Sequence, residues 1–265
     1  AWRLVEALYR AEGISREEAL DLAEFAAVAT VGDIMELQGE NRILVRYGLK
    51  RLEQTKNLGY RALITVNGLE GKRLTAYHIG FVLGPCINGS GGLGRAKRAL
   101  NLLGAESREE AEALAGDLKA LNDSRKALTV KGTEEARRQI EETELGRDRV
   151  LVVYLPECHE SLAGIIAGRI REQFYRPCFI LTDGEDGVKG SGRSIAGYHM
   201  FEEMMKVEEL FTRFGGHPMA AGLSMERSKV EELRQRLNEN CTLTEEDLVP
   251  RETFDAVLPI VYVGE

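Results

Sequence analysis

A long polar helical pattern in the middle of the chain constrains the fold more than any other feature. It begins with Ser107 and Glu110, spaced as a capping box, and continues through the sequence "TEEARRQIEET". At about 1.5 Å per residue, a helix of this length spans on the order of 50 Å. A polar helix this long is best explained as a connector between two lobes. The sequence therefore predicts two domains, with a boundary near Lys131.

The sequence after Gly146 alternates strand and helix patterns. It predicts strands at "RVLVVYL", "RPCFILTDG", "GVKGSGRSI" and "AAGLSM" and helices at "SLAGIIAGRIREQFY" and "SKVEELRQRLNEN", with helical turns over "HMFEEMMKVEELFTRF". This alternation predicts an α/β domain in which helices pack on a sheet. The sequence before the connector reads as helical, apart from a break at "TVGDIMELQGEN".

The net charge of −8 argues against a polyanionic ligand, but the distribution of the charges matters more than their sum. Basic residues gather in "NRILVRYGLKRLEQTK" and "GRAKR", for which anion contact and a solvated face are both open readings. The four scattered cysteines form no C-x-x-C pair, which argues against zinc and predicts a reducing, cytoplasmic setting. No apolar run approaches the ~18–20 residues of a membrane span.

A glycine-rich stretch from Gly84 to Gly104 leads into a helix that carries basic side chains. Bare backbone N–H groups and the positive end of a helix dipole favour an anion. Asn88 and Arg95, with Lys97 and Arg98, strengthen that interpretation. The alternative is a flexible turn between two helices.

Two further stretches combine small residues with a single cation. In "VKGSGRSIAGYH", Ser191 and the neighbouring glycines let Arg193 lie against a phosphate, although an edge arginine in solvent fits as well. In "FGGHPMAAG", two readings compete: a tight turn that buries His217, or a loop whose bare backbone contacts a ligand. Asp33, in the break between helices, either caps the next helix or binds a metal ion.

Taken in order, six stretches resemble the RecJ family of single-strand-specific exonucleases within the DHH phosphoesterase superfamily. They cover most of the chain and read "ATVGDIMELQGENRILVRYGL", "HIGFVLGPCINGSGGLGRAKRAL", "HESLAGIIAGRI", "RPCFILTD", "KGSGRSI" and "RFGGHPMAAG". The resemblance implies the end of a DHH catalytic domain at residues 1–85 and a glycine-rich loop with the connector helix at 86–130. It further implies a nucleic-acid-binding DHH-associated domain with a mixed sheet at 131–245, and the start of a strand-rich, oligonucleotide-binding-like domain at 246–265.

The resemblance also implies a reaction and its cofactors. Such enzymes hold two Mn²⁺ or Mg²⁺ ions that activate a water, and they release nucleotides from the 5′ end of single-stranded DNA in repair and recombination. A helicase or a single-strand-binding protein is an implied partner, and no membrane is. The Asp-His-His run that names the superfamily does not occur in this sequence. We therefore expect this chain to be part of a larger protein and to be inactive alone.

The family's functional residues carry over position by position. Asp33 matches a metal ligand and is the expected catalytic residue of this chain. Five positions match contacts to nucleic acid phosphates or to the 5′ end, namely Ser191, Arg193, Gly215, Gly216 and His217. Asn88 falls in the loop at the mouth of the nucleic acid channel. That loop reads "NGSGG" here, so Gly92 stands where the family has arginine, and Arg95 is the candidate substitute.

Two alternatives to the exonuclease stay open at this point. One is a DHH phosphodiesterase that acts on short oligonucleotides or cyclic dinucleotides. The other is a nucleic-acid-binding module without catalysis, because the DHH-associated domain also resembles one appended to alanyl-tRNA synthetases. The alternating pattern "FDAVLPIVYV" favours the exonuclease, since that family continues there into a strand-rich domain.

Overall fold

The structure, a computed structural model, describes residues 1–88, 93–252, 254, 256, 257, 259 and 260, and for residues 93–96 the backbone only. The chain divides into two compact units, Ala1–Lys126 and Ala127–Glu265. The division falls inside one long helix, α9 (Arg108–Glu142). Within the described residues, no helix is both long enough and apolar enough to span a membrane.

Unit 1 is helical. Besides the first part of α9, it contains α1 (Trp2–Ala11), α2 (Arg16–Asp21), α3 (Ala23–Gly32), α4 (Gly39–Glu53), α5 (Leu58–Val66), α6 (Ala76–His78), α7 (Gly84–Asn88) and α8 (Leu93–Leu103). A π-helical turn, Ile79–Leu83, joins α6 to α7. The core of the unit is apolar and includes the fully buried Leu52, Leu63 and Leu102.

The polar helix α9 owes its length to its sequence pattern. The Ser107 hydroxyl accepts a hydrogen bond from the Glu110 N–H at 3.1 Å and so caps the first turn. Ion pairs at i,i+4 spacing follow along its surface, among them Arg108–Glu112 and Arg137–Glu141. The predicted long helix is therefore confirmed.

Unit 2 is built on a five-stranded mixed sheet, as predicted. Its strands are β1 (Leu151–Tyr154), β2 (Cys178–Gly184), β3 (Gly187–Arg193), β4 (Phe211–His217) and β5 (Ala220–Met225), arranged in the order β1-β2-β3-β5-β4. The pair β1–β2 is parallel and the other pairs are antiparallel. The helices of this unit, besides the end of α9, are α10 (Glu160–Phe174), α11 (Met200–Met205) and α12 (Val230–Glu239).

The two faces of the sheet bury different clusters. One face carries Phe179, Leu181 and Leu223, which pack in a large core with residues of α11 and α12. The other face carries Cys178 and Ile180, which pack in a second core with α10 and with the end of α9. Helix α10 packs on β2 and β3, so β5 and β4 lie beyond it on this second face.

Two predictions of local structure are wrong. Phe211–His217 is a strand, whereas the sequence predicts helical turns followed by a tight turn or loop. The strand is hard to recognise because it lies at the sheet edge, where each of its side chains is at least partly exposed and hydrophobic alternation is weak. Gly84–Asn88 is likewise a helix and not a loop. The predicted strand near residue 260 falls largely outside the described residues.

Candidate nucleic-acid interface

Three residues on three neighbouring strands form one row across the sheet. Arg193 of β3 pairs with Ala220 of β5, and Ala220 pairs on its other side with His217 of β4. Directly paired residues of antiparallel strands project from the same face. Arg193 and His217 therefore flank a methyl group on one face, although 24 positions separate them in the sequence.

The Arg193 guanidinium is held in place by its own strand and by α10. Its Nη1 donates a hydrogen bond to the Gly192 carbonyl oxygen at 2.8 Å. A Cβ atom at Gly164 of α10 would lie only 2.8 Å from Nη2 of Arg193. Gly164 thus leaves the space that the guanidinium occupies. Among the residues that the structure describes, the remaining N–H donors of Arg193 have no hydrogen-bond partner and are available to an anion.

His217 differs from the other three histidines of the chain. His78, His159 and His199 each accept a backbone N–H through Nδ1 near the start of a helix. The His217 side chain is exposed and makes no hydrogen bond or ion pair within the described part of the chain. The reading of His217 as a buried group in a tight turn is therefore wrong, because the ring projects from an edge strand into solvent.

The next row along the same face is almost bare. Ser191 of β3 pairs with Gly222 of β5, which pairs with Gly215 of β4. A Cβ atom at Gly215 would meet no atom within 4 Å, so packing within the chain does not require glycine there. Gly216 faces the other way, and its Cβ would lie 2.7 Å from the Ala220 carbonyl oxygen. Of the two predicted glycines, Gly215 therefore lies on the same face of the sheet as Arg193 and His217. Gly216 lies on the opposite face, where its packing against Ala220 and Ala221 leaves no room for a side chain.

A cleft of about 310 Å³ opens beside Ser191, between β3 and the first turn of α10. Glu160 and Ser161 line it from the helix, and Lys189 and Ser191 line it from the strand. The Lys189 ammonium lies 2.5 Å from the Glu160 carboxylate, which raises the pKa of Lys189. The face as a whole thus offers hydroxyl, guanidinium and imidazole groups, the donors that bind phosphate oxygens.

Asp33 belongs to unit 1, where it is the exposed C-cap residue of α3. The next residue, Ile34, adopts a left-handed backbone with φ 54°, a strained conformation for a β-branched side chain. Within the described residues, no group of three or more acidic, histidine or cysteine side chains is placed to hold a metal ion. One carboxylate does not make a metal centre, so the ligand role of Asp33 stays a prediction.

The glycine-rich segment is described only at its edges. Asn88 is the exposed last residue of α7. Arg95 lies in α8, but its side chain is outside the described residues, as is Gly92. The roles predicted for Asn88 and Arg95 therefore stay predictions.

Sequence reasoning missed Gly164 and Gly222. The signal for Gly164 is present in "SLAGIIAGRI", where glycines recur at i,i+4 on one helix face. Gly222 carries no such signal, because its place in the row depends on pairing with both β3 and β4.

Comparison with known proteins identifies relatives of this chain. Residues 147–242 match the model of the DHHA1 domain. The single-stranded-DNA-specific exonuclease RecJ of Bacillus subtilis is 38% identical over 261 residues, which cover 97% of this chain and 32% of that protein. The RecJ of Escherichia coli is 38% identical over 84% of this chain and 40% of its own length.

Two solved structures of RecJ proteins are also similar to this chain. The crystal structure of Thermus thermophilus RecJ with Mg²⁺ superposes with a TM-score of 0.76 at 33% identity, over 89% of this chain and 36% of that one. A structure of exonuclease RecJ bound to manganese gives a TM-score of 0.78 at 33% identity, over 90% of this chain and 58% of that one. The chain thus spans between about a third and two fifths of the Bacillus and Escherichia proteins that it matches.

Proposed function

This chain is of the RecJ type and contains a DHHA1 domain, and on that premise we propose that its open sheet face binds single-stranded DNA. The observation that carries the proposal is the row of Arg193, Ala220 and His217. Two donor side chains flank a methyl group there, and bare backbone lies in the next row. Such a surface holds a phosphate between the guanidinium and the imidazole without steric crowding.

Each residue has a definite task in this binding. Arg193 supplies charged N–H donors to a phosphate oxygen, and its position is fixed by the Gly192 carbonyl and by the space at Gly164. His217 donates from the opposite side of the row. Ser191 adds a hydroxyl, and Gly215 lets the nucleic acid backbone approach the sheet. These groups bind and orient the strand, and none of them cleaves it.

We further propose that the complete protein is a metal-dependent exonuclease. Its relatives are named single-stranded-DNA-specific exonucleases, and two solved relatives contain Mg²⁺ or manganese. Asp33 would provide one carboxylate ligand, with Asn88 and Arg95 at the channel mouth. Release from the 5′ end, a role in repair and recombination, a helicase or single-strand-binding partner and a cytoplasmic setting are proposed from the family resemblance. The domain limits at residues 85, 130 and 245 are proposed on the same ground.

A second candidate is a nucleic-acid-binding module without catalysis. It is supported by the donor groups of the sheet face, which bind a strand without cleaving it. The two candidates share the sheet face and differ in the role of Asp33. If Asp33→Ala leaves manganese-dependent hydrolysis intact in the complete protein, the ligand role is wrong.

Fluorescence anisotropy tests the proposed binding face. The probe is a 5′-phosphorylated, 3′-labelled oligothymidine, titrated with wild type, Arg193→Ala, His217→Ala and the control Arg147→Ala at several salt concentrations. Arg147 pairs with Glu144 outside the three strands of the site. We expect Arg193→Ala to weaken binding and to reduce the log–log salt slope by roughly 0.7. If Arg193→Ala and His217→Ala bind like wild type at every salt concentration, the sheet face is not the binding site.

A further inference from the structure

The open face carries a second cationic row beyond the proposed phosphate site. Lys189 of β3 pairs with Ser224 of β5, which pairs on its other side with Arg213 of β4. The register between Arg213 and His217 is regular, because the irregularity of β4 lies between Phe211 and Arg213. Arg213 therefore projects from the same face as His217.

The distance between the two cationic rows follows from strand geometry. Arg213 and His217 are four residues apart on one strand, which at about 3.4 Å per residue is about 14 Å. This is longer than the distance between neighbouring phosphates of one strand and close to two such steps. One extended strand can therefore contact both rows only with phosphates two nucleotides apart.

The row between them is open to a ligand. A Cβ atom at Gly222 would meet only the Gly190 carbonyl oxygen, at 3.9 Å, and one at Gly215 would meet nothing within 4 Å. Neither glycine has a positive φ. Glycine inside a strand costs about 0.5–1 kcal/mol relative to alanine, and here neither packing nor backbone conformation requires it. Bare strand positions of this kind mark the close approach of another backbone.

The glycines that face the opposite side behave differently. A Cβ atom at Gly190 would lie 2.4 Å from Leu181 Cδ2, and one at Gly192 would lie 2.5 Å from Met200 Sδ. Packing in the core accounts for those two positions. The bare surface of the middle row is thus confined to the face that carries the cations.

The two cations of the second row differ in availability. Lys189 is engaged by the Glu160 carboxylate at 2.5 Å. Arg213 is exposed, and its side chain makes no hydrogen bond or ion pair with any residue that the structure describes. The Ser224 hydroxyl lies beside it in the row. Arg213 is therefore the cation of this row that is free to bind an anion.

We propose that Arg213 binds a second phosphate of the same strand, two nucleotides from the phosphate held by Arg193 and His217. This inference rests on the proposed function. It makes the sheet face a site for at least three nucleotides, with the sugar–phosphate backbone of the middle nucleotide over Gly222 and Gly215. Arg213 then selects strands by length, whereas Arg193 contacts strands of any length.

The test uses competition by short strands of defined length. Thymidine 5′-phosphate and the 5′-phosphorylated di- and trinucleotide each displace a labelled oligothymidine from wild type, Arg213→Ala, Arg213→Gln, Arg193→Ala and Arg147→Ala. We expect Arg213→Ala and Arg213→Gln to lower the affinity for the trinucleotide by about tenfold and to leave the affinity for the two shorter competitors unchanged. Arg193→Ala should lower the affinity for all three competitors, and the control Arg147→Ala should change none of them.

The outcomes separate the two proposals. If Arg193→Ala weakens all three competitors while Arg213→Ala leaves the trinucleotide unchanged, the second phosphate site is wrong and the binding face stands. If Arg213→Ala weakens the mononucleotide as much as the trinucleotide, Arg213 belongs to the first phosphate site and the inference is also wrong. If Arg193→Ala has no effect, the proposed function itself fails. Circular dichroism of each variant verifies that the exposed substitutions leave the fold intact.

Discussion

Gly164 of α10 leaves room for the guanidinium of Arg193 on β3, because a Cβ atom at position 164 would lie 2.8 Å from Nη2 of that guanidinium. A helix interior normally favours alanine over glycine by about 1 kcal/mol. At this position the missing methyl group allows a strand residue to lie against the helix. Glycine at position 164 thus lowers the stability of α10 and leaves the space in which the Arg193 guanidinium lies.

The first prediction concerns Gly164→Ala. The new methyl group displaces the guanidinium, so we expect affinity for single-stranded DNA to fall toward that of Arg193→Ala. Gly168→Ala is the matched control, because a Cβ there meets no atom within 4 Å in the same helix. It should raise the melting temperature and leave the affinity unchanged. Equal affinities for the two variants would contradict the prediction.

A second prediction compares the two neighbouring glycines of β4. Gly215→Ala should raise the melting temperature slightly, because nothing surrounds its Cβ and alanine loses less backbone freedom than glycine on folding, and it should bind single-stranded DNA less tightly. Gly216→Ala should lower the melting temperature, since its Cβ would lie 2.7 Å from atoms of Ala220 and Ala221. Thermal unfolding and anisotropy measure the two effects separately. A loss of stability in Gly215→Ala that matches Gly216→Ala would show that the open face is packed.

The third prediction is a pH dependence of stability in unit 1. Glu24 is 5% exposed, and burial raises the pKa of its carboxyl above the ordinary 4.5, although a hydrogen bond from the Thr55 hydroxyl partly opposes the shift. Because the folded pKa is raised, the stabilisation is complete below the unfolded pKa and is lost as pH rises through the folded value. Glu24→Gln keeps an acceptor for Thr55 and cannot ionise.

The measurement for Glu24 is urea unfolding of both proteins between pH 4.5 and pH 7, a window that starts at the ordinary pKa. Relative to Glu24→Gln, wild type should lose stability as the pH rises. Parallel stability curves would mean that Glu24 is solvated in the folded state.

A fourth prediction concerns the strained backbone beside Asp33. Ile34 is 92% exposed, so Ile34→Gly loses little apolar burial and relieves a left-handed conformation at φ 54°. We expect a gain of about 1 kcal/mol in the free energy of unfolding. Met35→Gly is the control, because Met35 has no positive φ and should only lose stability. A loss in both variants would show that Ile34 makes contacts that offset its strain.

Much of the fold can be predicted from local sequence patterns. The helix α9 and the succession β1, α10 and β2 follow from periodicity and from a continuous buried strand. The strand β4 cannot be recognised in this way, because "FGGH" has paired glycines and an exposed edge position. The candidate site is harder still. That Arg193 aligns with His217 depends on β5 entering the sheet between β3 and β4, a long-range pairing that no local pattern encodes.

Because β4 lies at the edge of the sheet and β3 in its interior, the two strands of the proposed site differ in mobility. The strand that carries Arg193 has a neighbour on each side, whereas β4 has only β5 within the described sheet. Backbone amides of such an edge exchange with solvent deuterium faster than those of an interior strand, since opening it breaks only one ladder. Fraying of β4 withdraws His217 and Arg213 together and leaves Arg193 in place. A bound polymer can then dissociate stepwise, one row of contacts at a time, without unfolding of the unit.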